Sequence, residues 1–253
     1  MEDTSQVYGI RAVIEAIQAG EPIHKVFIQK GLQGPLFFEL ESLIRKNGVS
    51  ASYVPAEKLN RLTKNNHQGV VAEVSPVAFH DFEDLVSRVM SGTTPAFFLL
   101  LDGISDVRNF GAIIRTAECT GVQGIVVPRS GAAPVNADAV KTSAGAAFRV
   151  PIAKVDHLKD AVYYLQASGI QVIAATEKAT ESVFGCSLEG PIALVMGSED
   201  NGISPSLLKI TDRQVRLPLL GEIGSLNVSV ACGVFLYEVV RQRMGRSSDV
   251  SDT

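Results

Sequence analysis

The 253-residue chain contains few cysteines, and they are far apart. Cys119, Cys186 and Cys232 form no CxxC pair and are odd in number, so neither a disulfide framework nor a cysteine-rich zinc site is expected. Such sparse cysteine use is typical of proteins from the reducing cytoplasm. With hydrophobic residues at 46% and charged residues at 20%, the composition predicts a soluble, globular, cytoplasmic protein.

The signatures of several common enzyme classes are also missing. The four histidines are scattered singly, which leaves no HExxH motif and no His/Cys cluster, and no metal is predicted. The chain contains no GxSxG nucleophile motif, no GxxxxGK[ST] phosphate loop and no GxGxxG dinucleotide fingerprint. These absences argue against a metal hydrolase, a serine hydrolase, a P-loop nucleotide hydrolase and a Rossmann dinucleotide-binding domain.

Long apolar segments and a large excess of one charge are absent as well. The longest purely apolar run, residues 96–101, is far too short to span a bilayer. The acidic start MEDTSQVYG has no secretory pattern, so no membrane partner is expected. The 23 Lys and Arg residues stand against 27 Asp and Glu, a formal net charge of −4. Nucleic acid would therefore have to be bound by a local patch rather than by overall charge.

Residues 1–76 have the pattern of a small α/β domain. Apolar periodicity predicts three helices and three strands, at 9–19, 36–46 and 56–63 and at 25–29, 49–54 and 70–74 respectively. The segment is neutral, with eight basic and eight acidic residues. Basic and amide side chains cluster at 58–67, where they could hold phosphate oxygens; ordinary solvated surface is the alternative.

The rest of the chain predicts a larger α/β domain built on a parallel sheet. After a connector, 77–95, with one amphipathic helix at 82–90, the unbroken apolar run in FFLLLD indicates a buried strand at 97–102. Further elements alternate: helices at 112–120, 139–147, 158–168 and 228–243, and strands at 124–127, 149–153, 171–175 and 191–196. This alternation predicts a sheet covered on both faces, with ligands bound beyond the carboxyl ends of its strands.

Polar residues follow two of the predicted strands. In the loop after the strand at 97–102, Asn109 and Arg115 could converge on one anion; a helix cap and a surface arginine are the alternative. In MGSEDNGIS, residues 196–204, Gly197 precedes Glu199 in a loop that suits a nucleoside or a cationic ligand. A simple turn leading into a helix is the alternative there.

A third polar loop precedes the long apolar helix near the C-terminus. Within residues 217–233, Ser225 and Asn227 stand at the predicted start of this helix. Small polar groups there can hydrogen-bond a ligand, and the helix dipole favours negative charge. More polar residues are present than a helix cap requires.

These motifs carry a family resemblance. NFGAIIRTAE, MGSEDNGIS and LPLLGEIGSLNVSVACGVFLYEVVRQR, in this order, resemble the three motifs of the SpoU branch of the SPOUT RNA 2′-O-methyltransferases. YGIRAV and HQGVVAEV, in the first 76 residues, resemble the L30e-like substrate-binding domain of many members. The combination most resembles bacterial enzymes that methylate a guanosine ribose in large-subunit rRNA. A tRNA ribose methyltransferase of the same branch, and a non-catalytic RNA-binding protein on this fold, are the alternatives.

The resemblance implies an architecture and partners. It implies an α/β fold whose parallel sheet ends in a C-terminal trefoil knot, at about residues 192–243, and a homodimer. The implied division is a substrate-binding domain at 1–76, a linker at 77–95, a catalytic domain at 96–246 and a flexible tail at 247–253. The implied partner is RNA, rRNA rather than tRNA, and DNA is not predicted.

The resemblance also implies a cofactor and its site. S-adenosylmethionine would lie bent within the knot, in contact with Gly197, Leu217 and Leu226. The implied catalytic residues are Asn109, Arg115, Glu199, Ser225 and Asn227. Arg115 would reach into the partner's cofactor site, and the family assigns removal of the hydroxyl proton to this arginine. Because a guanidinium is protonated and has no acceptor, binding of phosphate and stabilisation of the developing alkoxide suit it better, and the proton acceptor is left open.

The other implied roles concern orientation and RNA contact. Asn109 and Asn227 would orient the ribose or Arg115, Glu199 would hold Arg115 or an exocyclic amine, and Ser225 would bind substrate. Five basic residues of the catalytic domain form either a stripe that contacts RNA or solvated scatter: Arg108, Arg115, Arg129, Lys141 and Arg149.

Overall fold

The computed structural model describes residues 6–248, with side chains to Met244, as two compact units. The N-terminal unit comprises the residues up to Ala78 together with Pro134–Ala137, and the C-terminal unit comprises Phe79–Ala133 and the residues from Asp138 onward. The opening MEDTS and most of the predicted 247–253 tail lie outside the described residues. Within the described residues, no helix has the length and apolarity needed to cross a membrane.

The N-terminal unit is a four-stranded sheet with helices on both faces. Its strands are β1 (Gln6–Tyr8), β2 (Ile23–Gln29), β3 (Ala51–Val54) and β4 (Val70–Val74), and its helices are α1 (Ile10–Gln18), α2 (Pro35–Lys46) and α3 (Ala56–Leu62). The strand order is β1-β4-β2-β3, with β4 antiparallel to β1 and β2, and β2 parallel to β3.

Alternation along β2 gives this unit two apolar layers. Val26 and Ile28 pack with the buried face of α1 and α2, while Phe27 points to the other side and packs with Leu59 of α3. Two layers of apolar packing around one sheet give this segment a core of its own, within residues 1–78.

The C-terminal unit is built on seven parallel strands. They are β5 (Phe97–Asp102), β6 (Gly124–Pro128), β7 (Ile152–Val155), β8 (Gln171–Ala175), β9 (Glu181–Ser182), β10 (Ile192–Gly197) and β11 (Arg213–Arg216). Their order is β7-β6-β5-β10-β8-β11-β9, and every neighbouring pair is parallel. The prediction of an α/β fold with a parallel sheet is confirmed.

Helices cover both faces of this sheet. They are α4 (Phe82–Met90), α5 (Val107–Cys119), α6 (Ala137–Thr142), α7 (Leu158–Ala167), α8 (Pro205–Leu208) and α9 (Val228–Ser248). One face packs against α4, α7 and α8, with Phe98 and Leu100 of β5 in that core. On the other face α5 and α9 pack against each other. The central strands β5 and β10 therefore bring their carboxyl ends to the starts of α5 and α9.

Some predicted elements differ from the observed ones. α5 begins five residues earlier than expected, because the Asp106 side chain accepts a hydrogen bond from the Asn109 backbone N–H, 2.8 Å, and caps the helix there. The helix predicted at 139–147 is confirmed only in its first part: α6 spans 137–142, and a 3-10 turn, Ala146–Phe148, follows. The helix is interrupted between α6 and this turn because Ala144 and Gly145 have positive φ angles, of 51° and 83°.

The remaining differences concern the bounds of one strand, three short strands and the connector. β7 occupies 152–155 rather than 149–153, and β1, β9 and β11 were not predicted. β11 has the sequence RQVR, in which only Val215 is buried, so it carries no apolar run that could be read as a strand. The connector predicted at 77–95 contains α4, whose buried side chains belong to the core of the C-terminal unit.

Candidate active site

Two amides and one carboxylate form a closed hydrogen-bonded ring at the carboxyl edge of the parallel sheet. The Asn109 side-chain amide donates to Glu199 Oε2, 3.1 Å, and the Asn227 amide donates to Asn109 Oδ1, 3.0 Å. Asn227 also donates to Glu199 Oε1, which closes the ring, and Glu199 accepts a further bond from the Val228 backbone N–H, 3.3 Å. We call Asn109, Glu199 and Asn227 the amide–carboxylate ring.

Helix capping places two of the ring members. Asn109 stands in the first turn of α5, whose start is fixed by the Asp106 cap. Asn227 caps α9, since its side-chain oxygen accepts from the backbone N–H groups of Ser229, 3.0 Å, and Val230, 3.3 Å. Each capped helix start thus turns one amide toward Glu199.

A tight loop after β10 places the third member. The Gly202 N–H donates to the Ser198 carbonyl, 2.9 Å, so the chain folds back on itself directly after the strand. It returns so closely that a Cβ on Gly197 would lie 2.1 Å from the carbonyl carbon of Gly202 and 2.2 Å from the nitrogen of Ile203. Glycine is therefore required at 197, and Glu199 is held at the tip of this loop, exposed to solvent.

A cavity of about 360 Å³ adjoins the ring. It lies beyond the carboxyl ends of β8 and β10 and is closed on one side by the irregular segment 217–226 and the first turns of α9. The residues predicted to bind the cofactor all line it, as do two of those predicted to be catalytic: Gly197, Leu217 and Leu226, and Glu199 and Ser225. The structure thus brings together residues that lie up to 29 positions apart in the chain.

The cavity lining combines apolar and acidic groups. Met196, Leu219 and Phe235 contribute apolar surface, while Glu199 and Asp200 contribute carboxylates. Apolar walls suit a purine ring, and carboxylates suit a ligand that carries positive charge. A volume within the usual 300–1,000 Å³ of small-molecule sites is large enough for a nucleoside-sized cofactor such as S-adenosylmethionine.

Sequence reasoning missed one wall of this cavity. Thr176, Glu177 and Lys178 follow β8 directly and line the cavity beside the β10 loop. The signal was present, because TEK follows the buried run 171–175 as the other polar loops follow their strands. Three polar loops were predicted to form the site, but four neighbouring strands end at this edge, and the loop after each of them could contribute residues to the site.

Arg115 is not part of the ring. It follows Asn109 by six positions, which places the two side chains about 120° apart around α5. Arg115 is exposed, it does not line the cavity, and it makes no ion pair within the part of the chain that the structure describes. The structure therefore does not bring Arg115 to the ring or the cavity within one protomer, and the convergence of Asn109 and Arg115 on one anion stays a prediction.

Within the described residues, this edge has no cluster of metal-binding side chains and no thiolate. Among residues 6–248, no group of three or more His, Cys, Asp or Glu side chains could hold a metal ion. Cys232, in the second turn of α9, is fully buried, and burial raises its pKa to about 12, so it stays a thiol at neutral pH. The polar groups at this edge are carboxylates, amides, hydroxyls and the ammonium group of Lys178.

Comparison with known proteins agrees with this architecture. Residues 96–237 match the SpoU rRNA Methylase family, and residues 6–80 match the family described as RNA 2′-O ribose methyltransferase substrate binding. The 23S rRNA (guanosine-2′-O-)-methyltransferase RlmB of Xanthomonas axonopodis is 35% identical over 94% of this chain and 97% of that protein. YacO of Bacillus subtilis, named as a TrmH family tRNA/rRNA methyltransferase, is 33% identical over 94% of this chain and 95% of its own.

A solved structure gives the same result. The SpoU methyltransferase AviRb from Streptomyces viridochromogenes, in complex with AdoMet, superposes with a TM-score of 0.60 at 26% identity, over 95% of this chain and 90% of that one. The fold and the family matches are those of an RNA methyltransferase. The chain belongs to the SpoU family of RNA methyltransferases, whose methyl donor is S-adenosylmethionine, and the family predicted from the sequence motifs is confirmed.

Proposed function

We propose that this methyltransferase acts on the ribose 2′-hydroxyl of a guanosine in large-subunit rRNA. The observation that carries the proposal is the amide–carboxylate ring beside the cavity, because it joins hydrogen-bonding groups from two helix starts and one loop, and these groups could orient a ribose next to the cofactor. Relatives named for 23S rRNA guanosine support the choice of substrate. An RNA substrate and scattered free cysteines fit the cytoplasm.

The cavity residues would hold the cofactor and exclude water. When bound, S-adenosylmethionine supplies an electrophilic methyl group: the ribose oxygen bonds to the methyl carbon as the carbon–sulfur bond breaks and the hydroxyl proton leaves. Gly197, Leu217 and Leu226 would surround the cofactor. Their apolar lining favours loss of the sulfonium charge in the transition state. Alignment of the reacting atoms within about 3–3.5 Å supplies a large part of the acceleration.

The ring would orient the substrate. Glu199 accepts bonds from both amides, which leaves each asparagine with one fixed orientation and Glu199 with its carboxylate charge exposed. The ribose hydroxyls or an exocyclic amine can replace water at this carboxylate. Ser225, at the cavity wall, would bind substrate.

Arg115 would act in a partner's site, in a homodimer. Its separation from the ring within one protomer supports this arrangement. Exposed apolar side chains on α9, at Val230 (53%), Val234 (38%) and Tyr237 (55%), supply a surface for a second copy. Arg115 would bind the phosphate beside the target ribose and stabilise the developing alkoxide, while the proton is taken up by another group.

We also propose that the C-terminal segment is knotted and that the chain divides as its motifs imply. The insertion of β10 between β5 and β8 and the return of α9 to the start of β5 support a trefoil knot within about residues 192–243. The proposed division is an L30e-like RNA-binding domain at 1–76, a linker at 77–95, a catalytic domain at 96–246 and a tail at 247–253.

Two measurements test the function. Calorimetry should show binding of S-adenosylmethionine, and transfer of a labelled methyl group should proceed on protein-free 23S rRNA but not on tRNA. Mapping of the product should find a 2′-O-methylguanosine. Labelling of tRNA alone would move the assignment to tRNA, and a protein that binds RNA but no cofactor would be a non-catalytic member of the family.

A further inference from the structure

A basic side of α5 lies next to a second, short helix. Arg108, Gly111, Arg115 and Glu118 recur at intervals of three and four residues, so they share one side of α5. α6 packs on this side, because a Cβ on Gly111 would lie only 2.6 Å from the Cβ of Thr142. The absence of a side chain at Gly111 thus allows the two helices to approach closely between the two arginines.

The turn that follows α6 continues along the same side of α5. Arg149 lies 3.6 Å from Glu118 in an ion pair, with 77% of the arginine side chain and 35% of the glutamate side chain exposed. Next to it, Phe148 is 62% exposed. An exposed phenylalanine beside an arginine does not contribute to the core, so its ring is available to an external partner.

The charge here is opposite in sign to that of the whole chain. Four cations lie on α5, α6 and the following turn, against the two carboxylates of Glu118 and Asp138; the cations are Arg108, Arg115, Lys141 and Arg149. The chain as a whole carries −4. A local cationic surface with an exposed ring has the features with which proteins bind single-stranded nucleic acid: charge for the phosphates and a flat apolar face for a base.

We propose that this surface, which we call the α5 platform, binds the single-stranded RNA that flanks the target nucleotide. Phe148 stacks on a base, and Arg108, Lys141 and Arg149 contact phosphates. The inference rests on the proposed function, in which Arg115 holds the phosphate next to the target ribose. Because Arg115 is on the same side of α5, RNA bound by it passes within reach of the platform. Weak exposed ion pairs such as Arg149–Glu118 exchange easily for a phosphate.

Removal of the Phe148 side chain tests the stacking contact. Phe148→Ala should weaken binding to a protein-free 23S rRNA transcript roughly 5- to 100-fold in filter binding and raise KM for RNA, with kcat at saturating RNA and affinity for S-adenosylmethionine unchanged. Phe148→Tyr should restore binding. Tyr163→Ala, which removes a 55% exposed ring on α7, is the matched control and should bind like wild type.

The salt dependence separates stacking from charge. The logarithm of the RNA association constant falls linearly with the logarithm of the salt concentration. Each of Lys141→Gln and Arg149→Gln should make this slope shallower by about 0.7–0.9, while Phe148→Ala leaves the slope unchanged. Glu118→Gln should tighten binding, up to about fivefold, because it frees Arg149 and removes a negative charge.

Three outcomes would overturn the inference. The platform is not an RNA surface if Phe148→Ala binds RNA as wild type does, or if none of the charge variants changes the salt slope. A Phe148→Ala protein that binds RNA normally but changes its oligomeric state would make the platform a protein interface instead. Failure of the proposed function is distinguishable, because wild type itself would then not methylate the transcript.

Discussion

The two ends of α9 are held in different ways. At its start, Asn227 and Glu199 are exposed side chains that bond to each other and to Asn109. At its end, the Arg243 guanidinium is half-buried, lies over the ring of Phe97 and donates to four backbone carbonyls, those of Pro95, Ala96, Leu188 and Gly190. Burial lowers the pKa of Arg243, and the four bonds offset this desolvation.

This difference separates function from stability within one helix. Every residue has a backbone carbonyl, so the groups that bind Arg243 near the end of α9 are not specialised for binding or catalysis. The start instead uses side chains whose polar atoms can exchange partners with a ligand. We therefore expect substitutions at the start of α9 to reduce activity and substitutions at its end to reduce stability.

The largest effect is expected for Glu199→Gln. The amide presents one oxygen to three donors, so its own NH₂ must face an asparagine amide or the Val228 N–H, and the ring opens. Misplacement of about 1 Å costs on the order of 100-fold in rate, so methyl transfer in single turnovers should fall at least that far. Thermal unfolding should stay close to wild type, because Glu199 is exposed.

Glu222→Gln is the matched control for this substitution. Glu222 is an exposed acid in the irregular segment 217–226 and does not line the cavity. It should transfer methyl groups at the wild-type rate. If Glu199→Gln retained more than a third of the activity, the amide–carboxylate ring would not be part of the reactive centre.

Gly197→Ala should reduce both the stability of the protein and its binding of the cofactor. The added methyl group would meet the backbone of Gly202 and Ile203, so the loop that carries Glu199 must move. Such overpacking typically costs about 1–3 kcal/mol of unfolding free energy, to be measured by denaturant titration, and affinity for S-adenosylmethionine should fall at least tenfold in calorimetry. Gly185→Ala, where a Cβ meets nothing within 4 Å, should change neither quantity.

Much of the fold and the site could be predicted because local patterns specify them. The strand 97–102 and the helix 82–90 are observed at their predicted bounds, because a continuous apolar run specifies the buried strand and helical apolar spacing specifies the buried face of the helix. Gly197, Leu217 and Leu226 line one cavity because parallel strands bring their carboxyl ends to the same edge. Their roles toward the cofactor stay predictions.

Other features depend on contacts that a sequence does not display. The break at Ala144 comes from left-handed backbone at a residue that usually favours helix. The position of Arg115 away from the ring follows from where α5 begins, five residues before the predicted start, and this in turn depends on the Asp106 cap. The role of Arg243 could not be read at all, because its four acceptors are backbone atoms.

Arg243→Met tests the other end of α9. The substitution keeps the contact with Phe97 but leaves four carbonyls without this donor, so the unfolding free energy should fall by about 2 kcal/mol. Well below the unfolding temperature, kcat should equal that of wild type. Arg88→Met, at an exposed position in the last turn of α4, should be nearly neutral. If Arg243→Met lost activity but kept its unfolding free energy, the assignment of activity to the start of α9 and stability to its end would be wrong.

The smallest effect is expected for the pH dependence of Glu238, one turn before Arg243. Hydrogen bonds from Arg241, at 2.8 Å, hold the pKa of the Glu238 carboxyl below its usual 4.5. A carboxyl with a lowered pKa in the folded state stabilises the protein above pH 4.5, and this contribution is lost as the pH falls through the folded value. Because Arg241 is largely exposed, the contribution should be under about 1 kcal/mol.

Glu238→Gln should therefore lose less unfolding free energy than wild type when urea titrations at pH 6 and pH 3.5 are compared. Arg241→Met should reduce the loss by the same amount, since the two side chains act as one pair, and the double variant should add nothing. Equal losses in wild type and Glu238→Gln would show that the carboxylate does not stabilise this end. The end of α9 would then be fastened by Arg243 and Gln242 without a charge contribution from Glu238.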